Sequence, residues 1–234
     1  MFKRLRQRDP LTLREDFCGT AALCCEWVRM EPSGKAYGID LDQPTLDWAR
    51  THNLAQLASL EPRVELIRGN VLDDYPFKVD VVTAFNFSYF CLKSRRDMLA
   101  YFSRCQKALV KDGLFYLDIF GGPTSMAIQQ EETKYRSFTY IWDQASFSPV
   151  TGDLKCHIHF IPHDKRPMRR AFTYDWRLWT IPELTDILEE AGFEDVYVYW
   201  EGTDKKTGEG NGVYRLTSKG DNSESFVAYV VAIR

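Results

Sequence analysis

The apolar positions of the chain follow two grammars. From Pro10 to Phe120, short apolar runs alternate with stretches of helical period. Pro10-Leu11-Thr12-Leu13 leads into two acids, Glu15 and Asp16. A small-residue turn follows, Cys18-Gly19-Thr20, then a helix bearing Ala21, Ala22, Leu23, Trp27 and Val28. Lys35 to Asp40 reads as a second strand. Asp42 is placed to cap a helix through Leu57, with Pro44 in its first turn. Residues 64–67 read as a third strand and 79–85 as a fourth, the latter continuously apolar as where helices cover both faces. Met98, Leu99, Phe102, Cys105 and Leu109 recur at helical spacing after Ser94, and 114–120 is a fifth strand. This alternation predicts a parallel, doubly wound sheet.

After Phe120 the pattern changes. Residues 135–142, 154–161 and 170–179 read as three strands, joined by turn-forming segments at 149–153 and 162–167. Consecutive strands without helices predict an antiparallel insertion over 135–179. Thr180-Ile181-Pro182-Glu183 is a capping box opening a helix that runs to Ala191 and stops at Gly192. Residues 193–200 and 226–233 form a closing strand pair, and the glycine-containing stretch 202–220 between them reads as a mobile loop. The expected fold is Rossmann-like α/β: a mostly parallel seven-stranded sheet with an antiparallel β insertion after strand five, in one domain over 1–234.

Composition sets bounds on function. The chain has 234 residues, 44% of them hydrophobic, enough for one substantial core. Its 33 acids against 30 bases give a net charge of −3. The one dense basic cluster, Lys165-Arg166 with Arg169-Arg170, reads as a solvated loop, so no nucleic-acid partner is expected. The basic N-terminus lacks the apolar core of a secretory signal, and no apolar run approaches a membrane span. Six cysteines without a C-x-x-C pair read as buried, reduced thiols of a cytoplasmic protein. Strand one starts about ten residues in, which leaves little chain to cover a ligand and suggests a shortened form or an open site.

The chemistry centres on the first turn and Asp40. A tight turn after strand one and an acid ending strand two, about twenty residues on, form a nucleoside site. The turn lets the backbone approach the ligand, and the carboxylate accepts two ribose hydroxyls. Only Gly19 of a G-x-G-x-x-G pattern is present, so a dinucleotide phosphate site is not indicated. The string Glu15-Asp16-Phe17-Cys18-Gly19-Thr20-Ala21 instead resembles the first motif of class I S-adenosylmethionine-dependent methyltransferases, acid-x-Gly-x-Gly-x-Gly. Phe17 and Ala21 replace the outer glycines. The string also looks like an uncharacterised bacterial subgroup of small-molecule type. "LVKDGLFYLDIFGG" and "WTIPELTDILEEAGFEDVYVY" resemble the family's later segments, so the resemblance spans nearly the whole chain.

The resemblance implies S-adenosylmethionine as cofactor, S-adenosylhomocysteine as product and a small-molecule acceptor. It places Glu15, Gly19 and Thr20 at the motif turn, Asp40 on the ribose and Leu41 on the adenine. It sets Asn70 and the Val71 amide at the adenine edge, and Asn86 at the methionine part. Arg14 follows from physics: a buried guanidinium needs a partner. Either Asp16, on the same strand face, or the methionine carboxylate would serve. His157, His159 and His163 lack a nearby acid pair and read as a wall of the substrate pocket or a wet sheet face rather than a metal site. No catalytic base is assigned, with Tyr89, His157 and His159 as candidates. Asn86-Phe87-Ser88-Tyr89 lacks the two prolines of nucleic-acid amino-methyltransferases. The 135–179 insertion is expected to cover the methyl group and choose the acceptor. Two other readings stay open: a nucleoside-binding module without catalysis, and an aminopropyltransferase or nicotinamide-dependent oxidoreductase on the same fold.

Overall fold

A computed structural model of the protein describes residues 2–204, 206–208 and 210–234. The parallel core alternates as the pattern predicts: β1 (Thr12–Asp16), α2 (Ala22–Met30), β2 (Lys35–Asp40), α3 (Gln43–His52), β3 (Val64–Arg68), β4 (Val79–Ala84), α4 (Arg95–Ala108) and β5 (Leu109–Gly121). A five-residue helix, α1 (Phe2–Arg6), precedes them. The strand order β3-β2-β1-β4-β5 is that of a doubly wound sheet, reversing direction next to β1. Asp42 caps α3 by accepting the Thr45 N–H at 3.0 Å, with Pro44 in the first turn. This helix stops at His52 rather than Leu57, and a 3-10 segment, Leu54–Arg63, carries the chain to β3.

β12 (Phe226–Ile233) runs antiparallel against β5, followed outward by β10 (Asp195–Thr203) and β11 (Gly210–Thr217). The main sheet therefore has eight strands, not seven. The extra one, β11, lies within the stretch read as a loop. Its glycines mark the turn of a β10–β11 hairpin: Gly208 and Gly212 have φ of +77° and +71°. α5 (Ile181–Glu190) starts at the capping box, with Thr180 and Glu183 each bonding the other's backbone.

The insertion is a separate four-stranded antiparallel sheet, in order β6 (Gln129–Lys134), β7 (Phe138–Phe147), β8 (Asp153–Pro162) and β9 (Met168–Arg177). It begins one strand earlier than the sequence suggests, because QQEETK carries no apolar alternation and is nearly all exposed. The sheet is anchored firmly. Leu154, Cys156 and Trp176 belong to the same buried cluster as Phe102, Phe115 and Leu184, beneath α4 and α5. The other face of the main sheet packs on α2 and α3 through Cys24, Val28, Leu46 and Ala49. Cys91 is exposed, unlike the other five thiols, and all six are free. Among the described residues no helix is long and apolar enough to cross a membrane.

Candidate active site

The turn after β1 has an unusual backbone. Phe17, Gly19 and Ala21 take φ of +56°, +50° and +56°, the left-handed region at all three motif positions. For Phe17 and Ala21 this costs about 1–2 kcal/mol each. Packing and hydrogen bonds hold the loop in place. The Phe17 ring meets Tyr101 edge-on at 5.8 Å. The Cys18 N–H donates to the Ile39 carbonyl at 3.0 Å. Cys18 sits so close to β2 that a Cβ on Gly38 would lie 2.9 Å from its Sγ. A Cβ on Gly19, by contrast, would meet nothing within 4 Å, because it faces an open cleft.

Two carboxylates fix the turn. Glu15 Oε2 accepts the Cys24 N–H at 3.0 Å, satisfying an amide of the first turn of α2. Burial pushes its carboxyl up to about 7 despite that bond. Asp40 Oδ2 accepts the Gly19 N–H at 2.8 Å, and its Oδ1 accepts the Asp42 N–H at 2.9 Å. Each oxygen keeps a second lone pair. Thr20 is not the helix cap, since Ala21 holds that position without a side-chain bond. Thr20 is exposed, and its carbonyl accepts from the Asn53 amide at 2.8 Å. Leu41 projects beside Asp40 at 64% exposure. Asn70 lies just past β3, whose Arg68 pairs with Asp40. Its Oδ1 accepts the Leu72 N–H at 3.0 Å, so the oxygen expected to face an adenine already orders its own turn. The Val71 side chain is buried, and its carbonyl accepts from Arg14.

Arg14 is corrected. It is 1% exposed and points under the sheet, where Nε donates to Asp16 Oδ1 at 2.6 Å and its guanidinium lies 5.0 Å over the Tyr75 ring. Asp16 also accepts from Tyr101 at 2.9 Å. The internal pair satisfies the guanidinium, and no surface remains for a cofactor carboxylate.

The cleft in front of Gly19 has a volume of about 620 Å³. Glu15, the 16–20 loop and Leu23 form one wall, and Phe85, Asn86, Ser88, Asp118 and Tyr229 form the opposite one. Phe172 and Tyr174 of β9 close it from the insertion sheet. Asn86 and Phe87 again have positive φ, +58° and +56°. Asp118 holds both: its two oxygens accept their N–H groups at 2.7 and 3.0 Å. Burial pushes its carboxyl up to about 6. Two residues along the β5–β12 ladder, where Asp118 faces Tyr229 and Phe120 faces Val227, a second cavity of about 410 Å³ opens. Phe87, Tyr140, Trp142, Glu131 and Glu201 line it. A third cleft, about 470 Å³, adjoins Phe85 and Tyr229, with Arg4, Tyr116, Tyr199 and Tyr214 around it and no residue of the insertion sheet.

The three proposed bases are elsewhere. Tyr89 is fully buried and donates to the Asp118 carbonyl at 2.7 Å, and burial pushes its hydroxyl up. His157 pairs across β8–β9 with Thr173, and its Nδ1 lies 2.9 Å from that hydroxyl. Strand alternation sets Thr173 opposite in direction to Phe172 and Tyr174, so His157 and His159 face away from the cleft. His159 is held by Asp143 at 3.1 Å and by the Arg170 N–H at 2.8 Å.

Residues 16–117 match the methyltransferase-domain family model. Over these residues the chain carries a methyltransferase domain. The fold is similar to that of solved methyltransferases. CalS10 from Micromonospora echinaspora, an amino pentose methyltransferase solved with S-adenosylmethionine, is 18% identical with a TM-score of 0.69, covering 100% of this chain and 86% of its own. DesVI from Streptomyces venezuelae is 16% identical, with a TM-score of 0.68 over 99% and 88%. A Clostridium acetobutylicum methyltransferase is 14% identical, with 0.69 over 95% and 83%. At these identities the likeness is one of fold. No curated protein matches this sequence. The sequence reading missed Asp118 and Tyr229, and it named Phe172 and Tyr174 only among the many aromatics of the insertion that could wall a sulfonium site. An acid inside the apolar run Phe115–Phe120 was a visible signal for Asp118, whereas the others depend on register.

Proposed function

We propose that this methyltransferase binds S-adenosylmethionine across the ends of β1, β2 and β3 and methylates a small molecule beneath the β6–β9 sheet. The observation that carries this reading is the cleft in which the first-motif loop, Asn86, Asp118 and the roof residues Phe172 and Tyr174 meet. Its volume suits a ligand of this size, and the open space before Gly19 leaves room for close backbone approach. The cofactor supplies an activated methyl on a sulfonium.

The chain's residues bind and align. Asp40 accepts the ribose hydroxyls on its free lone pairs. Leu41 covers the adenine, the Asn70–Val71 turn borders its edge, and Thr20 lines the loop. Glu15 also orders the loop through its bond to the Cys24 N–H. Asn86 faces the methionine portion, with Asp118 fixing its backbone. Phe172 and Tyr174 exclude water and present aromatic faces toward a cation. Alignment of acceptor and methyl then accounts for much of the rate.

Two results test the reading. Calorimetry is expected to give one S-adenosylhomocysteine site per chain, and Tyr174→Leu is expected to lower methyl transfer from labelled cofactor at least about tenfold while changing that affinity little. Binding without transfer to any acceptor in a broad panel would favour a module that has lost catalysis. Asp118 adds a pH dependence. Its raised carboxyl grips Asn86 and Phe87 only when ionised, so turnover is expected to fall as pH drops through about 6. Asp118→Asn should flatten this acid limb. A limb that persists unchanged in that variant assigns it to another group.

A further inference from the structure

We infer that the methyl acceptor is an amine, recognised as a cation in the cavity beneath β6 and β7. This deepens the methyltransferase reading and rests on it. The observation is the charge of the covered space. The chain carries 30 lysines and arginines, yet among the described residues none lines either the cleft in front of Gly19 or the adjoining cavity. Acids do line them: Glu15, Asp16 and Asp118 in the first, Glu131 and Glu201 in the second. Arg14 neutralises Asp16. Glu131 and Glu201 make no ion pair among the described residues.

The acids face aromatic rings. Glu131 is paired across the strands with Trp142, so both project from one face of the insertion sheet. Trp142 lies 6.1 Å from Tyr174, which roofs the cofactor cleft. Glu201 is held by the Gly212 N–H at 2.7 Å. The glycine at 210 leaves room for it there: a Cβ would lie 2.5 Å from its carboxyl carbon. Tryptophan and tyrosine faces flanked by carboxylates attract ammonium groups and repel carboxylates or phosphates. An anionic acceptor would instead seek Arg4 in the uncovered tyrosine cleft.

The transfer step balances simply. The ammonium first gives a proton to solvent. The free amine's lone pair then forms the N–C bond while the C–S bond breaks and its electron pair moves onto sulfur. The products are the methylated ammonium and neutral S-adenosylhomocysteine, with one proton released.

Three probes of similar size and different charge test this: benzyltrimethylammonium, benzyl alcohol and phenylacetate. Each is titrated into the full chain saturated with S-adenosylhomocysteine, with tryptophan fluorescence and ligand-observed NMR as readouts. The cation is expected to bind at least about tenfold tighter than the other two. That preference should be lost in the Glu131→Gln/Glu201→Gln double variant and in Trp142→Leu, while S-adenosylhomocysteine affinity stays at the wild-type value and reports an intact fold. No binding of the cation, an equal or stronger affinity for phenylacetate, or a preference that survives the double variant overturns the inference. Failure to bind S-adenosylhomocysteine at all sinks the methyltransferase reading instead, so the two failures are distinguishable.

Discussion

Arg14→Ala is expected to lower the folding free energy by about 3–5 kcal/mol. The residue is 1% exposed, and its partner Asp16 is equally enclosed. The change removes the only cation bonded to that carboxylate among the described residues, leaving it with Tyr101 and the weaker Cys105 contact at 3.7 Å. It also empties the space over the Tyr75 ring and frees the Val71 carbonyl. Urea unfolding followed by tryptophan fluorescence reads the effect as a shift in midpoint at constant slope. Replacing both partners by apolar residues, Arg14→Met with Asp16→Leu, should cost much less, because no buried charge is then stranded. A loss below about 1 kcal/mol in Arg14→Ala would mean that the pair is hydrated in solution. A folded variant that binds cofactor far more weakly would return Arg14 to the list of ligand contacts.

The parallel half of the fold was legible because its strands are apolar on both faces and its helices keep strict period. Val79–Ala84 is buried at every position, and α4 buries Met98, Tyr101, Phe102 and Cys105 as the spacing indicates. β6 and β11 were not legible, since neither has a buried face to impose alternation. The motif loop carried a harder lesson. Phe17 and Ala21 look like departures from a glycine motif, yet the backbone keeps left-handed φ at both. Tertiary contacts, Phe17 on Tyr101 and Asp40 on the Gly19 amide, hold a shape that local preference resists.

Side-chain direction in the insertion was the least accessible from sequence. The histidines and the aromatics alternate along the same strands, and a shift of one residue exchanges the faces. The register of His157 with Thr173, and of Ile158 with Phe172, decides which set meets the cleft. His157 is consequently buried away from it, and that burial, with Arg170 nearby, pushes its ring below the ordinary histidine value. It stays neutral in a hydrogen-bonded strand pair. The same register brings Phe172 and Tyr174 to the cleft that the motif loop lines.

Asp40→Ala is expected to weaken S-adenosylhomocysteine binding about a hundredfold, the equivalent of ~3 kcal/mol. Two effects contribute. The carboxylate offers its remaining lone pairs to the two ribose hydroxyls, as charge-assisted bonds. It also holds the Gly19 N–H at 2.8 Å, so its loss loosens the loop that borders the cleft. A ligand cycle separates them. Wild type should discriminate strongly between the cofactor product and its 2′,3′-dideoxy analogue, whereas Asp40→Ala should bind both almost equally. The hydroxyl-dependent part disappears from the variant, and what remains of the loss is the loop's share. Should calorimetry find Asp40→Ala still discriminating as wild type does, another residue holds the ribose, and Asp40 serves only the turn.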